Sequence, residues 1–467
     1  MAAARSIPAK PYLWSIPLLL LGMVSLVGAF IPPPVATATG TINSGDTAWM
    51  LTATALVLLM TPGLSFFYGG MVDRKNVIST MMQSFIAMGL VSILWVVVGF
   101  SLAFGDSIGG FIGNPFTFLM FRGVGEASHP DLAATIPLAM FALFQLKFAI
   151  ITPALITGAF AERVRFSSYM LFVCLFSLFI YCPLAHWTWH PHGFLHEWGV
   201  LDFAGGTVVH MAGGFAALAG AMFLGQRNAH KHQSPQVPAH IPYVLLGTGM
   251  LWFGWFGFNA GSALAANGLA ARAFLTTNTA SASAMLAWLF FDCIKGRRPS
   301  ALGACIGAVV GLVAITPAAG FVPVGASIFI GFVAAIVSNM AVHWRTRSSI
   351  DDTLDVFPCH GVGGIVGMLL TAVFADKVGL VHGQAHTFVS HLWALGIVAA
   401  FTFCGTYMLY MLSHRIIPMR VSAAEEEMGL DLSQHGESLE VIPGENAESL
   451  PPVAAPFAVR GELRKTG

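Results

Sequence analysis

The sequence predicts an all-α polytopic membrane protein, and three observations support that fold class. Of the 467 residues, 56% are apolar and only 9% are charged, whereas about a quarter of the residues in a soluble domain are charged. Eleven apolar stretches are long enough to cross a bilayer, which takes about 20 residues per helix. The 50 Gly and 25 Pro follow no G-X-Y period and are typical of closely packed or interrupted membrane helices.

Charge and motif content narrow the possible functions. The 22 Lys and Arg balance 22 Asp and Glu, so no basic excess supports a nucleic-acid partner. The six cysteines are single, without a C-x-x-C pair, and we expect them to be buried small residues. We find no G-x-x-x-x-G-K-[ST] phosphate loop, no G-x-G-x-x-G fingerprint and no G-x-S-x-G elbow. The sequence therefore predicts neither an enzyme nor a bound cofactor.

The N-terminal segment resembles a secretory signal. Arg5 and Lys10 precede an apolar run over 14–30, and a small-residue A-T-A sequence follows at 36–38. We predict that residues 1–38 are a signal peptide that is cleaved. The alternative is an additional, uncleaved spanning helix, because the apolar run is slightly long for a signal.

From Asp46 onward, eleven apolar stretches predict a transmembrane domain over 46–413. The predicted spans are 46–70, 77–105, 133–159, 167–186, 205–224, 241–265, 270–293, 301–318, 321–343, 358–375 and 389–413. The loops after odd-numbered helices hold most of the basic residues: Arg74, Lys75, Arg163, Arg165, Arg227, Lys231, Lys295, Arg297, Arg298, Arg345 and Arg347. By the positive-inside rule, the domain begins outside and the polar tail 414–467 is cytoplasmic.

Two helices carry a matching pattern. His210 is followed by M-A-G-G and His360 by G-V-G-G, and each helix is preceded by Leu-Asp, at Asp202 and Asp355. The first Leu-Asp falls on the outer side and the second on the inner side. We therefore predict two five-helix halves of opposite topology, with the eleventh helix outside this core. Inverted repeats are common in transporters and channels, where the substrate path lies at the repeat interface.

The two histidines are the main candidates for function. An imidazole inside a membrane helix is costly unless it faces a partner or a cavity. At matching places in inverted halves, His210 and His360 are expected to meet and to share a proton between ring nitrogens. Asp202, at the mouth of helix 5, is either a helix cap or a holder of cation-binding groups. Asp355 is expected to be a cap.

Aromatic and hydroxyl side chains supply candidates for a cation site. Phe144 and Phe148 share one face of helix 3, helix 6 ends with Phe258 and Ser262, and Trp189 lies at the outer end of helix 4. A Trp face attracts a cation by about 0.5–2 kcal/mol, and a serine hydroxyl supplies an acceptor. The competing use of histidine is a metal site, for which the outer loop offers His186, His190, His192, His196 and Glu197. We expect these loop histidines to be solvated instead.

Five ordered blocks resemble one family, the Amt/Mep branch of the Amt/Mep/Rh ammonium transporters, and the likeness runs from about Asp46 to Glu437. The blocks are P-G-L-S-F-F-Y-G-G-M-V-D-R-K-N from Pro62, G-A-F-A-E-R-V-R-F from Gly158, L-D-F-A-G-G-T-V-V-H from Leu201, W-F-G-F-N-A-G-S-A from Trp255 and D-V-F-P-C-H-G-V-G-G from Asp355. The resemblance implies a multi-pass protein of the cell (inner) membrane that transports ammonium. It also implies a homotrimer with one pore per subunit.

The resemblance assigns roles to the candidate residues. It implies an outer recruitment site of Phe144, Trp189 and Ser262 supported by Asp202, a gate of Phe148 and Phe258, and pore histidines His210 and His360. A PII-type nitrogen regulatory protein is the implied cytoplasmic partner, and G-L-D-L-S-Q-H-G-E in the tail resembles the family's regulatory segment. Lys147 departs from the expected pattern, and we expect it to be structural or interfacial rather than pore-facing.

Physical chemistry favours recognition of the cation and conduction of the neutral molecule. Burying an uncompensated cation costs tens of kcal/mol in the idealised limit, whereas ammonia is small, neutral and able to hydrogen-bond to the histidines. Two alternatives stay open at this point. One is an ammonium sensor that signals through its tail and conducts little, and the other is a histidine-dependent membrane metalloenzyme.

Overall fold

The computed structural model describes residues 14–31, 40–233 and 236–439. Part of the predicted signal peptide forms helix α1 (Ser15–Ala29), none of whose residues is buried. The A-T-A sequence at 36–38 and the tail beyond residue 439 lie outside the described residues, so cleavage of the signal stays a prediction.

The described chain is built almost entirely of helices. After α1 they are α2 (Ser44–Met71), α3 (Val77–Leu94), α4 (Phe100–Phe104), α5 (Leu138–Phe160), α6 (Phe166–Phe176), α7 (Cys182–Trp189), α8 (Phe194–Glu197), α9 (Ala212–Leu224), α10 (Asn228–Lys231), α11 (Ile241–Gly261), α12 (Gly268–Ile294), α13 (Ala301–Ile315), α14 (Val324–Thr346), α15 (Gly363–Phe374), α16 (Ala385–Ile416) and α17 (Ala423–Met428). Five π-helical turns occur at Trp95–Gly99, Ser177–Tyr181, Gly206–Met211, Phe357–Val362 and Asp431–His435, and 3₁₀ turns occur at Arg74–Asn76, Leu119–Phe121 and Leu380–His382. Strands β1 (Ser107–Ile108) and β2 (Ile112–Gly113) form a short antiparallel hairpin.

Nine helical segments of the described chain are long and apolar enough to cross a membrane. They are Ser44–Met71, Arg74–Phe104, Leu138–Phe160, Phe166–Glu197, Gly206–Leu224, Ile241–Gly261, Val324–Thr346, Phe357–Phe374 and Ala385–Ile416. The predicted count of eleven is not confirmed by this criterion. The seventh predicted span corresponds to α12, which falls outside this set, and the eighth to α13, which is apolar but only 15 residues long.

The two histidine-bearing segments pack reciprocally. α9, which follows His210, packs against the π-helical turn Phe357–Val362, while α15, which follows His360, packs against the turn Gly206–Met211. α2 and α11, the first helices of the predicted halves, also pack together along their length. These reciprocal contacts support the predicted pseudo-two-fold relation between the halves.

Glycines allow the two histidine-bearing helices to cross closely. A Cβ at Gly214 would collide with the backbone of Gly361, and a Cβ at Gly364 would lie 3.1 Å from the carbonyl oxygen of Gly206. Gly214 and Gly364 each follow a histidine by four residues. The paired glycines of the sequence pattern therefore permit a backbone contact that any larger side chain would prevent.

The prediction that Asp355 caps the second histidine segment is wrong, because Asp352 does so. The Asp352 carboxylate accepts hydrogen bonds from the backbone N–H groups of Val356 (3.1 Å) and Phe357 (2.7 Å). Asp202 precedes His210 by eight residues, and Asp352 precedes His360 by the same interval. Asp355 instead pairs with Arg345, whose Nε lies 2.7 Å from its carboxylate.

The described part of the tail docks against loops at one end of the helical domain, here called the Arg227 end. Asp431 accepts hydrogen bonds from the backbone N–H groups of Ile78 (3.0 Å) and Ser79 (2.7 Å), at the start of α3. Glu426 accepts one from the N–H of Asn228 (2.6 Å), at the start of α10. Because helix N-termini present unpaired N–H groups, the tail carboxylates act as caps supplied from a distant part of the chain.

Candidate functional site

A cavity of about 170 Å³ opens at the opposite end of the domain, here called the Trp189 end. It is lined by Asp131, Leu132, Phe141, Gln145, Phe148, Trp189, Phe203, Ser262 and Leu264. Trp189, Ser262 and Phe148 are thus brought together, as predicted. Phe144 and Asp202 are not among the lining residues.

The two polar side chains predicted for cation binding are held in defined orientations. The Trp189 indole N–H donates to the backbone oxygen of Asp202 (3.1 Å), which fixes the ring. The Ser262 hydroxyl donates to the backbone oxygen of Phe258 (2.9 Å). Its proton is therefore used within the helix, and its oxygen lone pairs are available as acceptors for a donor in the cavity.

Two phenylalanine rings, tilted to each other and in contact, lie at the bottom of this cavity. The Phe148 and Phe258 ring centroids are 4.3 Å apart, and both side chains are buried. The edge of Phe148 also meets Trp189, with centroids 5.6 Å apart. Phe144 lies behind Phe148, at 4.9 Å, so that it supports the gate ring rather than facing the cavity.

Asp202 holds the start of the His210 segment. One carboxylate oxygen accepts from the N–H groups of Gly205 (2.7 Å) and Gly206 (2.6 Å), and the other from the N–H (2.7 Å) and hydroxyl (2.5 Å) of Thr207. Four accepted bonds match the lone-pair capacity of a carboxylate. Asp202 therefore acts as a cap, and through its backbone oxygen it also holds Trp189.

Beyond the phenylalanine pair lies a cavity of about 10 Å³, room for about one water-sized molecule. Its lining is apolar apart from Trp255, His210 and His360: the other residues are Met60, Leu64, Phe67, Ile151, Leu155, Val209, Leu251, Phe258 and Val309. The two Nδ1 atoms of His210 and His360 are 3.3 Å apart. The predicted meeting of the histidines is thus present in the structure.

The hydrogen-bond network assigns the protons of this pair. The Thr316 hydroxyl donates to the Leu312 backbone oxygen (2.8 Å) and accepts from the Trp255 indole N–H (2.9 Å). His210 Nε2, 3.3 Å from the same hydroxyl, is therefore the proton-bearing nitrogen. In a neutral imidazole the other nitrogen accepts, so His360 Nδ1–H donates to His210 Nδ1. His360 Nε2 is left as an acceptor.

Sequence reasoning missed several residues of this site. Trp255 lies within a recognised block but was given no role, and Thr316 lies in an apolar helix end with no motif around it. Gln145 lines the Trp189-end cavity, and its Oε1 has no hydrogen-bond partner within the described chain. Lys147 is only 8% exposed and lines neither cavity, in keeping with the expectation that it does not face the pore.

The prediction of solvated loop histidines is wrong for two of the four. His186 is fully buried, with Nδ1 2.9 Å from the Ala103 backbone oxygen and Nε2 2.8 Å from the Ser107 hydroxyl. His190 stacks on it with ring centroids 4.4 Å apart. Within the described residues, no three His, Cys, Asp or Glu side chains are grouped as a metal site requires.

A buried ion-pair cluster stabilises the Arg227 end. Arg227 binds Asp351 (2.8 Å) and Glu162 (2.7 Å). Burial alone would raise the pKa of Asp351, but hydrogen bonds from Arg227 and the charges of Arg163 and Arg227 outweigh it and hold that pKa well below its ordinary value of 3.8. The carboxylate therefore stays ionised at neutral pH.

Fold and site together define a multi-pass helical membrane protein in which an aromatic-lined cavity lies on one side of the Phe148–Phe258 pair and a hydrogen-bonded histidine pair on the other. Comparison with known proteins gives the family. The chain belongs to the Ammonium Transporter Family, whose model matches residues 48–439.

The similarity of this chain to known proteins covers nearly the whole length of those proteins. An Aquifex aeolicus protein named as an ammonium transporter is 44% identical over 427 residues, which cover 89% of this chain and 98% of that protein. The crystal structure of Saccharomyces cerevisiae Mep2 superposes with a TM-score of 0.81 at 33% identity, covering 90% of this chain and 98% of that one. A structure called Sensor Amt Protein gives a TM-score of 0.78 at 31% identity, covering 84% and 98%.

Proposed function

We propose that this protein transports ammonium across the cell membrane by binding the cation at the Trp189 end and conducting ammonia past the histidine pair. The observation that carries the proposal is the contact of His210 with His360 directly behind the Phe148–Phe258 gate. Membership of the Ammonium Transporter Family supports the choice of substrate.

Recruitment is assigned to the Trp189-end cavity. The indole face of Trp189 attracts a cation by about 0.5–2 kcal/mol, and the Ser262 oxygen accepts one ammonium N–H. Phe148 forms the floor. The family resemblance assigns Phe144 and Asp202 to the same site, and both act through its lining residues. Phe144 packs on the Phe148 ring, and the Asp202 backbone oxygen holds Trp189.

The gate and the cavity behind it favour loss of a proton. Two phenylalanine rings in contact and a largely apolar cavity cannot replace the hydration of a cation, whose uncompensated burial costs tens of kcal/mol in the idealised limit. Ammonia has no such cost and can donate to the free Nε2 acceptor of His360. Potassium has no proton to lose, so the same barrier excludes it.

The histidine pair also offers a path for the released proton. When the free Nε2 of His360 takes up the released proton, the Nδ1–H of His360 can pass across the 3.3 Å to Nδ1 of His210, and His210 then gives up its Nε2–H on the Thr316 side, so both rings end neutral. Return to the starting arrangement needs Thr316 and its neighbours to reorient. Ammonia and the proton would then move along the same pair at different moments.

Orientation, assembly and regulation complete the proposal. The Trp189 end faces outward and the Arg227 end faces the cytoplasm, in agreement with the distribution of basic residues. By family analogy the protein forms a homotrimer and binds a PII-type regulatory protein, and the docked tail lies at the end that such a partner would reach. A sensor with little transport is not favoured, because the family and the Aquifex aeolicus relative are named for transport.

The test is an ammonium concentration jump on proteoliposomes, with current and internal pH recorded together and a potassium jump as control. Either an ammonium-specific current or internal alkalinisation is expected, and neither should follow potassium. If folded protein, present in both orientations, gave neither a current nor a change of internal pH, transport would be refuted.

A further inference from the structure

The eleventh predicted span contributes a residue that touches neither cavity yet joins both histidine-bearing segments. His391 lies on α16 and is fully buried. Its Nε2 accepts a hydrogen bond from the backbone N–H of Leu201 (2.9 Å), and its Nδ1 lies 2.8 Å from the backbone oxygen of Met368. The first contact requires an unprotonated Nε2, so Nδ1 carries the proton and donates to Met368.

The two partners of His391 belong to the two halves of the domain. Met368 lies on α15, the helix that continues from His360, whereas Leu201 directly precedes Asp202. Asp202 in turn caps the His210 segment with its carboxylate and holds the Trp189 indole with its backbone oxygen. His391 is thus linked, through Leu201 and its neighbour Asp202, to Trp189 in the proposed cation site and to the start of the His210 segment.

We propose that His391 is a positioning residue for ammonium binding: it fixes the Leu201–Asp202 segment, and thereby Trp189, relative to the His360 helix. This inference rests on the proposed function for its substrate. The Leu201 N–H is part-buried, and leaving it there without an acceptor is costly, so loss of the imidazole would let this segment shift. The Trp189 face and the Ser262 oxygen would then no longer converge on one cation, while His210 and His360 would keep their direct contact.

The chain offers a conservative variant and a matched control. In His391→Gln the amide lies near the position of the imidazole Nε2, so its oxygen can accept from Leu201 and keep the bond that holds this segment, while its nitrogen remains a donor on the Met368 side. His391→Leu keeps an apolar side chain of moderate size and removes both bonds. Thr402→Val is the control, since Thr402 is buried on the same helix and its hydroxyl has no partner among the described residues.

Ammonium-dependent flux should separate affinity from turnover. His391→Leu is expected to raise the half-saturating ammonium concentration about tenfold, the loss expected from one buried hydrogen bond, while maximal flux falls less than threefold. His391→Gln and Thr402→Val should match the wild type. If His391→Leu does not fold, His391→Asn, whose shorter amide reaches one partner, takes its place. Unchanged half-saturation, or equal effects of His391→Leu and Thr402→Val, would overturn the proposal.

A second readout does not depend on transport. Hydrogen exchange of the peptide covering 200–207 should quicken about tenfold in His391→Leu but not in His391→Gln or Thr402→Val, because the Leu201 N–H loses its acceptor. If wild-type vesicles carry no ammonium signal, the proposed function fails, and exchange alone then decides whether His391 positions this segment. Equal exchange in all four proteins would refute the positioning role.

Discussion

Replacement of the two equivalent caps, Asp202 and Asp352, by asparagine separates a structural role from a role in ammonium binding. An Asn side chain has one carbonyl oxygen in place of two carboxylate oxygens. In Asp202→Asn the amide nitrogen faces the N–H and hydroxyl of Thr207; the hydroxyl can turn to accept from the amide, so only the Thr207 N–H loses its acceptor. In Asp352→Asn, one backbone N–H loses its acceptor, at Val356 or Phe357.

The expected magnitudes follow from these bonds. Each buried donor left without an acceptor costs about 1–3 kcal/mol. Asp202→Asn and Asp352→Asn should therefore each lower the free energy of unfolding by about 1–3 kcal/mol. Only the backbone oxygen of residue 202 also holds Trp189, and a weakened cap would let that backbone shift, so only Asp202→Asn should raise the half-saturating ammonium concentration as well.

The assays are thermal unfolding of purified protein, followed by tryptophan fluorescence, and ammonium flux in proteoliposomes normalised to folded protein. Asp202→Asn and Asp352→Asn should both unfold at a lower temperature than the wild type, by similar amounts. If Asp202→Asn unfolds like the wild type, the cap geometry is wrong. If both variants shift the ammonium dependence equally, the link from Asp202 to Trp189 has no part in binding.

Three further changes probe other parts of the structure. Thr316→Val removes the acceptor that orients His210 and should reduce ammonium flux about tenfold, equivalent to one buried hydrogen bond; unchanged flux would contradict the proton assignment. Because the pKa of Asp351 is lowered in the folded state, its stabilisation is present above pH 3.8 and is lost as the pH falls below that value. In Arg227→Gln the folded-state pKa of Asp351 moves back up, so thermal stability should be lower at neutral pH and should fall less below pH 3.8 than in the wild type; superimposable pH profiles would count against the ion pair. Asp431→Ala should speed hydrogen exchange of residues 429–437, since the caps at the start of α3 are gone, and equal exchange would argue against tail docking.

The histidine pair could be predicted because the same local pattern, H-x-x-G-G, occurs in two helices. A costly side chain at matching places in two helices indicates a shared path, and the following glycines indicate close crossing. The same reasoning gave the wrong cap at Asp355. It aligned the two Leu-Asp dipeptides with each other, and not the number of residues between each aspartate and its histidine. Asp352 stands eight residues before His360, as Asp202 does before His210, and that spacing was the available signal.

Other features depend on contacts that no local pattern encodes. Thr316 and His391 act through bonds to segments far away in sequence, and each sits in an apolar helix where a Thr or His is ordinarily a core residue. Burial of His186 depends on the β1–β2 hairpin, whose two-residue strands leave almost no periodicity to detect. The position of Phe144 behind Phe148 is set by how α5 rotates against its neighbours, which helical spacing alone does not determine.

The central claim is that ammonia, and not a cation, is conducted past His210 and His360, and His210→Ala tests it most directly. Ammonium and potassium jumps would be applied to proteoliposomes that contain wild type, His210→Ala or the Thr402→Val control, with current and internal pH recorded. The account predicts that His210→Ala either loses ammonium flux or admits potassium current, whereas Thr402→Val behaves as wild type. Folded His210→Ala with unchanged ammonium flux and no potassium current would contradict it.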